Sequence, residues 1–152
     1  MVTFLLRLML VSLFFPFSAL DKIINFSGAC DQAQQLIKPR TPAACMILAG
    51  LAVEIITPLC ILSGLADRAA ALILALYCMA TAVLFKPFWA PGDFWHRGAS
   101  KGRDLFWDFL KNFSLSAGIL FITFGAGPAS FQALLANPLG STHPYANAGA
   151  AP

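Results

Sequence analysis

Four apolar runs, each near the length that spans a bilayer, leave this chain few ways to fold. They cover residues 2–24, 43–63, 69–86 and 104–124, and polar connections separate them. About 20 apolar residues in helical form cross the ~30 Å hydrocarbon layer. In lipid a spanning segment must satisfy its own backbone, which helices do. The reading is therefore all-α: an integral membrane four-helix bundle with antiparallel up-down topology. The composition agrees, at 59% hydrophobic and 11% charged residues, against roughly 45–50% and 25% in a soluble domain. A length of 152 residues gives room for one domain. We place the bundle in residues 1–130 and a C-terminal tail in residues 131–152. The net charge of +3 comes from scattered basic residues without a basic run, so a nucleic-acid partner is not expected.

The first run, VTFLLRLMLVSLFFPFSALDKII, has a competing reading as a cleavable signal peptide, since it opens the chain and carries Ser18-Ala19. Arg7 inside the run, apolar residues continuing to Phe26 and a nearly full spanning length argue for a retained helix. Pro16 is expected to kink it. Residues 25–42 read as a polar connection, with Pro42 suited to the first turn of the next helix. That helix is rich in small residues, Gly50 among them, which permit close approach in lipid. Glu54 lies near its middle, and Pro58 suggests a second kink. The turn from Gly64 to Arg68 is short enough to make its flanking helices neighbours. Gly127-Pro128 is expected to stop the fourth run, and the end of the tail reads as extended or disordered.

The fourth run carries Asp104, Asp108, Asn112 and Ser116 at every fourth position, with Lys111 beside them. This spacing puts them on one helix face. A charge near a helix centre in lipid costs at least about 2.5–3.5 kcal/mol, so the face should meet protein or water. At a rise of 1.5 Å per residue, Glu54 lies ~16 Å and Lys111 ~10 Å in from the same side of the membrane, and Arg7 ~8 Å in from the other. Long basic side chains can cover such differences. We therefore expect a cluster of Arg7, Glu54 and Lys111, with Asp108 and Asn112 as further partners. Such a cluster is either an ionic clamp that fixes helix order or a polar pocket for a quinone headgroup or a proton.

The connection KPFWAPGDFWHRGASKGR places Trp89, Trp95, His96 and Arg97 together, with the aromatic residues suited to a membrane interface. His96 could meet a metal or a quinone carbonyl there, though an unliganded interfacial histidine needs no special chemistry. Cys30, Cys45, Cys60 and Cys78 form no C-x-x-C pair, and metal-ligand spacing is absent. Neither a catalytic residue nor a metal site is assigned, and no intrinsic cofactor is expected. The first and third connections carry seven basic residues (Lys22, Lys38, Arg40, Lys86, Arg97, Lys101, Arg103), against Arg7 and Arg68 on the other side. The positive-inside rule then puts both termini outside the cytoplasm.

These pieces together resemble the DoxX family of small four-helix membrane proteins. The matching segments are LLRLMLVSLFFPFSALDKI, LAVEIITPLCILSGLADRAAALIL, the histidine of FWHRG, and FLKNFSLSAGILFITFGAGPAS with Lys111 and Asn112. The first helix departs from the family pattern, carrying bulky LFFPF where a glycine is usual. The resemblance implies a membrane subunit associated with redox enzymes such as thiosulfate:quinone oxidoreductase; the expected location is the bacterial inner membrane, with termini that the charge count makes periplasmic. It assigns no catalytic residue. The expected function is thus an accessory subunit that anchors other membrane subunits of a redox or respiratory complex near the quinone pool. A quinone-reactive subunit is the alternative, and a small-solute or proton pathway a weaker third.

Overall fold

The computed structural model describes residues 1–125 and 129–146; Gly127-Pro128, the expected stop, and the tail from residue 147 lie outside the described residues. The described residues form helices and connections without a strand. Helix α1 (Val2–Val11) leads through a kinked segment (Leu13–Ser18) into α2 (Ala19–Ile24), and α3 (Phe26–Ala33) follows. Then come α4 (Arg40–Ser63), α5 (Asp67–Phe85), α6 (Lys101–Phe124) and the short α7 (Ala129–Ala136). Among the described residues, four helical stretches are long and apolar enough to cross a membrane: Val2–Ile24, Arg40–Ser63, Asp67–Phe85 and Lys101–Phe124. The molecule is a multi-pass membrane protein.

Each boundary has a local cause. The break in the first span falls before Pro16, where Phe15 is extended at φ −125° and ψ 121°. Proline excludes its predecessor from the helical region and cannot donate to the preceding turn. Pro42 sits in the first turn of α4, where no intrahelical donor is needed. Pro58 lies inside α4 without ending it, and withholds the N–H that would bond the Glu54 carbonyl. Helix α4 stops at Gly64, whose φ of 78° is the left-handed conformation that closes helices. Helix α6 starts at Lys101, earlier than its apolar run, because the Ser100 hydroxyl accepts the Arg103 N–H at 3.2 Å as an N-cap.

Helix α3 corrects the expectation of a polar connection over residues 25–42. Its overall polarity conceals a stripe at Phe26, Ala29, Cys30 and Ala33, one helix face. That stripe packs on Ala43 and Ile47 of α4. The main core joins Val11 and Phe14 of the first span to Ile61 of α4, Leu74 and Cys78 of α5, and Ile119 of α6. Helix α5 packs against both α4 and α6. Its inner face is built from Ala70, Ala71, Ala75 and Ala82, residues small enough for helices to close together. Large apolar side chains such as Met9, Phe17, Ile24, Ile56 and Phe121 face outward, as a lipid-facing surface requires.

Candidate functional site

Among the described residues, Arg7, Glu54 and Lys111 fall into three separate polar groups, and the expected cluster of the three does not assemble. The first group sits where the α4–α5 turn meets the start of the chain. Asp67 is fully buried, and the Arg7 guanidinium donates to its Oδ2 at 2.7 Å and to the Ile61 carbonyl at 2.7 Å. Thr142 of the tail donates its backbone N–H to Asp67 Oδ1 at 2.9 Å and its hydroxyl to Oδ2 at 2.5 Å. Arg7 closes the ring by donating to the Thr142 hydroxyl at 2.7 Å. Arg7 therefore finds its acid one turn beyond the end of α4. A cavity of about 390 Å³ adjoins this group, with Arg68 in its wall. The Arg68 Nε is buried without a hydrogen-bond partner among the described residues.

The second group is centred on Glu54, near the middle of α4. The buried positions Ile47, Gly50, Glu54, Thr57 and Ile61 recur at helical spacing and turn this carboxylate inward. Ser18 and Lys22 lie one helical turn apart in the first span and face it together. The Lys22 ammonium reaches Glu54 Oε1 at 2.7 Å, Oε2 at 2.9 Å and the Ser18 hydroxyl at 2.7 Å. Ser18 donates to Oε1 at 3.1 Å, and the Tyr77 phenol of α5 donates to the same oxygen at 2.9 Å. Gly50 makes room for that phenol, since a Cβ there would stand 2.9 Å from the Tyr77 hydroxyl oxygen.

A cavity of about 800 Å³ opens beside this knot. Lys22, Glu54 and Tyr77 border it, Asn112 of α6 lines it, and Phe14, Val53 and Leu84 supply apolar wall. Small-molecule sites run from roughly 300 to 1,000 Å³ with apolar walls and a few placed polar groups. The Asn112 carbonyl accepts from the Ser116 hydroxyl at 2.8 Å and from the Cys78 thiol at 3.5 Å. Its side-chain amide makes no hydrogen bond among the described residues and borders the cavity.

The third group lies at the other end of α5 and α6. Lys86 donates to Asp108 Oδ2 at 2.9 Å, while Lys111 stands 3.5 Å from Oδ1 on the same helix. Lys111 is largely exposed, with 75% of its side chain open. The stripe on α6 thus passes from exposed Asp104 through half-buried Asp108 and Asn112 to fully buried Ser116. Only its later half faces the helix core.

The connection into α6 is a folded shelf. Asp93 accepts the backbone N–H groups of Lys101 and Gly102, both at 2.8 Å, and its carbonyl accepts the Ser100 hydroxyl at 2.9 Å. The Gly102 N–H first, then that of Lys101, holds the Asp93 carboxyl below the usual carboxylate range. Arg103 donates to the carbonyls of Phe94 at 3.0 Å and His96 at 2.6 Å, and to that of Gly98. Phe88 is the hub of a ring cluster, in edge contact with Trp89, Phe106 and Phe109 at 5.0–5.2 Å. Trp89 and Trp95 face outward, Trp95 at 91% exposure, and His96 and Arg97 are exposed beside them.

A family model described as DoxX matches residues 2–87, more than half of the chain. The chain belongs to the DoxX family. The matched DoxX segment contains both buried groups, Arg7 with Asp67 and Lys22 with Glu54 and Tyr77. Helix α6, with Lys111 and Asn112, lies beyond it. No curated protein and no solved structure matches the chain.

Asp67, Tyr77, Ser18 and Lys22 are absent from the cluster expected from sequence. Tyr77 carries the clearest signal, because a tyrosine within a span needs a partner for its hydroxyl. Ser18 and Lys22 have the i, i+4 spacing that a shared partner requires.

Proposed function

We propose that this DoxX protein is a subunit of a bacterial inner-membrane redox or respiratory assembly, and that its larger cavity holds a quinone headgroup against the Glu54 knot. The single observation that supports this is the 800 Å³ space itself. An ionic clamp alone needs no adjoining cavity, whereas an amphipathic ring with an apolar tail needs both the polar end and the apolar walls. Quinone is then a ligand of the chain, and neighbouring subunits supply the electron carriers.

Four spans in up-down order place both termini on one side, which the basic-residue distribution makes periplasmic. The pairings support that order. Arg7 meets Asp67 while Lys22 reaches Glu54, and Thr123 bonds the Arg68 carbonyl while Lys86 pairs with Asp108. A second reading, a purely anchoring subunit, is favoured by the outward Trp89 and Trp95. Aromatic side chains at this level suit both the membrane interface and a partner surface.

The test is a mild-detergent pull-down from native membranes, with solvent extraction of the eluate for quinone and an optical spectrum. Quinone in near-equal ratio, together with flavin- or haem-bearing partners, is the expected result. Partners without quinone would leave the anchoring reading alone, and Trp95→Ala should then release them. A colourless protein without quinone or partners would overturn both.

A further inference from the structure

The hydrogen-bond inventory of the Glu54 knot selects between the two redox forms of a headgroup, an inference that rests on the quinone reading above. Lys22 has three N–H donors and no acceptor. They meet three acceptors, the Ser18 hydroxyl and both oxygens of Glu54, at 2.7, 2.7 and 2.9 Å. Because Ser18 must accept from Lys22, its own hydrogen is the one that reaches Glu54 Oε1 at 3.1 Å. The Tyr77 hydrogen goes to the same oxygen at 2.9 Å. Every donor in the knot is therefore engaged inside it.

What the knot has left are acceptors. Glu54 Oε1 takes three hydrogen bonds, but Oε2 takes only the one from Lys22. A carboxylate oxygen has two lone pairs, and a phenol oxygen accepts as well as donates. Both Glu54 and Tyr77 border the cavity. A carbonyl placed there meets a carboxylate and no free N–H or O–H of the knot, leaving two acceptors face to face. A hydroxyl placed there donates to an ionised acceptor, one of the stronger hydrogen bonds available in a protein.

We infer that the cavity binds a hydroquinone, the hydroxyl-bearing reduced form, in preference to the quinone. The hydroxyl donates to Glu54 Oε2, and the Asn112 amide serves the far side of the ring. The preference is one of binding and involves no electron transfer by the chain. One hydrogen bond to a charged acceptor corresponds to about tenfold or more in affinity.

The experiment is anaerobic equilibrium dialysis of the full-length protein in nanodiscs against decylubiquinol and decylubiquinone. The expected result is about tenfold tighter binding of the quinol. For a two-electron couple this raises the midpoint potential of the bound ligand by about 30 mV. Glu54→Gln, which puts an amide donor in place of the acceptor, should abolish or invert the preference. Tyr77→Phe keeps the carboxylate and should retain it, which guards against a Glu54→Gln protein that fails to fold. Equal binding of both forms, or tighter binding of the quinone, would overturn the inference and leave the quinone site standing. Binding of neither form would remove the site and the inference with it.

Discussion

Asp67 is a buried carboxylate whose partners come from two distant parts of the chain: Arg7, and the backbone and side chain of Thr142. Breaking a buried pair by removing one partner costs about 3–5 kcal/mol, mostly through the charge left behind. Arg7→Leu should therefore destabilise the protein by about that amount. Arg7→Leu combined with Asp67→Leu should recover most of the loss, as read from thermal unfolding in detergent. Equal losses in the single and double variants would show that the ion pair is not the cause. At Glu54 the decisive neighbour is a missing atom. Gly50→Ala gains up to ~1 kcal/mol of helix propensity, yet its Cβ meets the Tyr77 hydroxyl oxygen at 2.9 Å. We expect nearly unchanged stability but weaker ligand binding, since the phenol must withdraw from the carboxylate. Dialysis and melting on the same preparation would separate the two effects.

Among the elements, α6 depends most on what precedes it. Its first N–H groups are capped by Asp93 from the shelf rather than by its own first turn, and a negative charge there also suits the helix dipole. A carboxyl held below its ordinary value stabilises the folded shelf at all pH above about 3.9, the unfolded reference. That contribution fades as pH falls through the lower folded value. Tryptophan emission, with Trp95 and Trp89 on the shelf, should thus shift only below about pH 4. Asp93→Asn should remove the transition. A shift of unchanged size in that variant would assign it to another group. Gly102→Ala should loosen the same shelf, because a Cβ would stand 2.8 Å from Asp93 Oδ1 and 3.1 Å from the Phe88 carbonyl.

At the scale of the whole molecule, the described part of the tail belongs to the bundle. Beyond α7, Thr142 joins the Asp67 group and the Tyr145 hydroxyl donates to the Leu62 carbonyl. Pro144 covers the helix-ending Gly64, 3.0 Å from where a Cβ would lie, and the Phe4 and Tyr145 rings stand 6.3 Å apart. Ending the chain after Ala136 should lower thermal stability and open the α4–α5 turn to protease. The Glu54 cavity is lined by none of the removed residues, so quinol binding should persist. Loss of binding in a protein that still melts cooperatively would tie the tail to the site.

Run length and composition determined that four helical stretches among the described residues are long and apolar enough to cross a membrane, because hydrocarbon thickness and backbone satisfaction are local demands that each segment meets alone. Pro16, Gly64 and the small residues of α4 were legible for the same reason. The helix hidden in residues 26–33 was not, since its short apolar stripe acquires meaning only against Ala43 and Ile47. Nor were the ionic partners. Depth along a helix places Arg7, Glu54 and Lys111 within reach of one another, but rotation about the helix axis decides which charges meet. That rotation is fixed by side-chain packing across the bundle, which joins Arg7 to Asp67, Lys22 to Glu54 and Lys86 to Asp108. The cavity beside Glu54 has the same origin, as space left between packed helices that no single segment encodes.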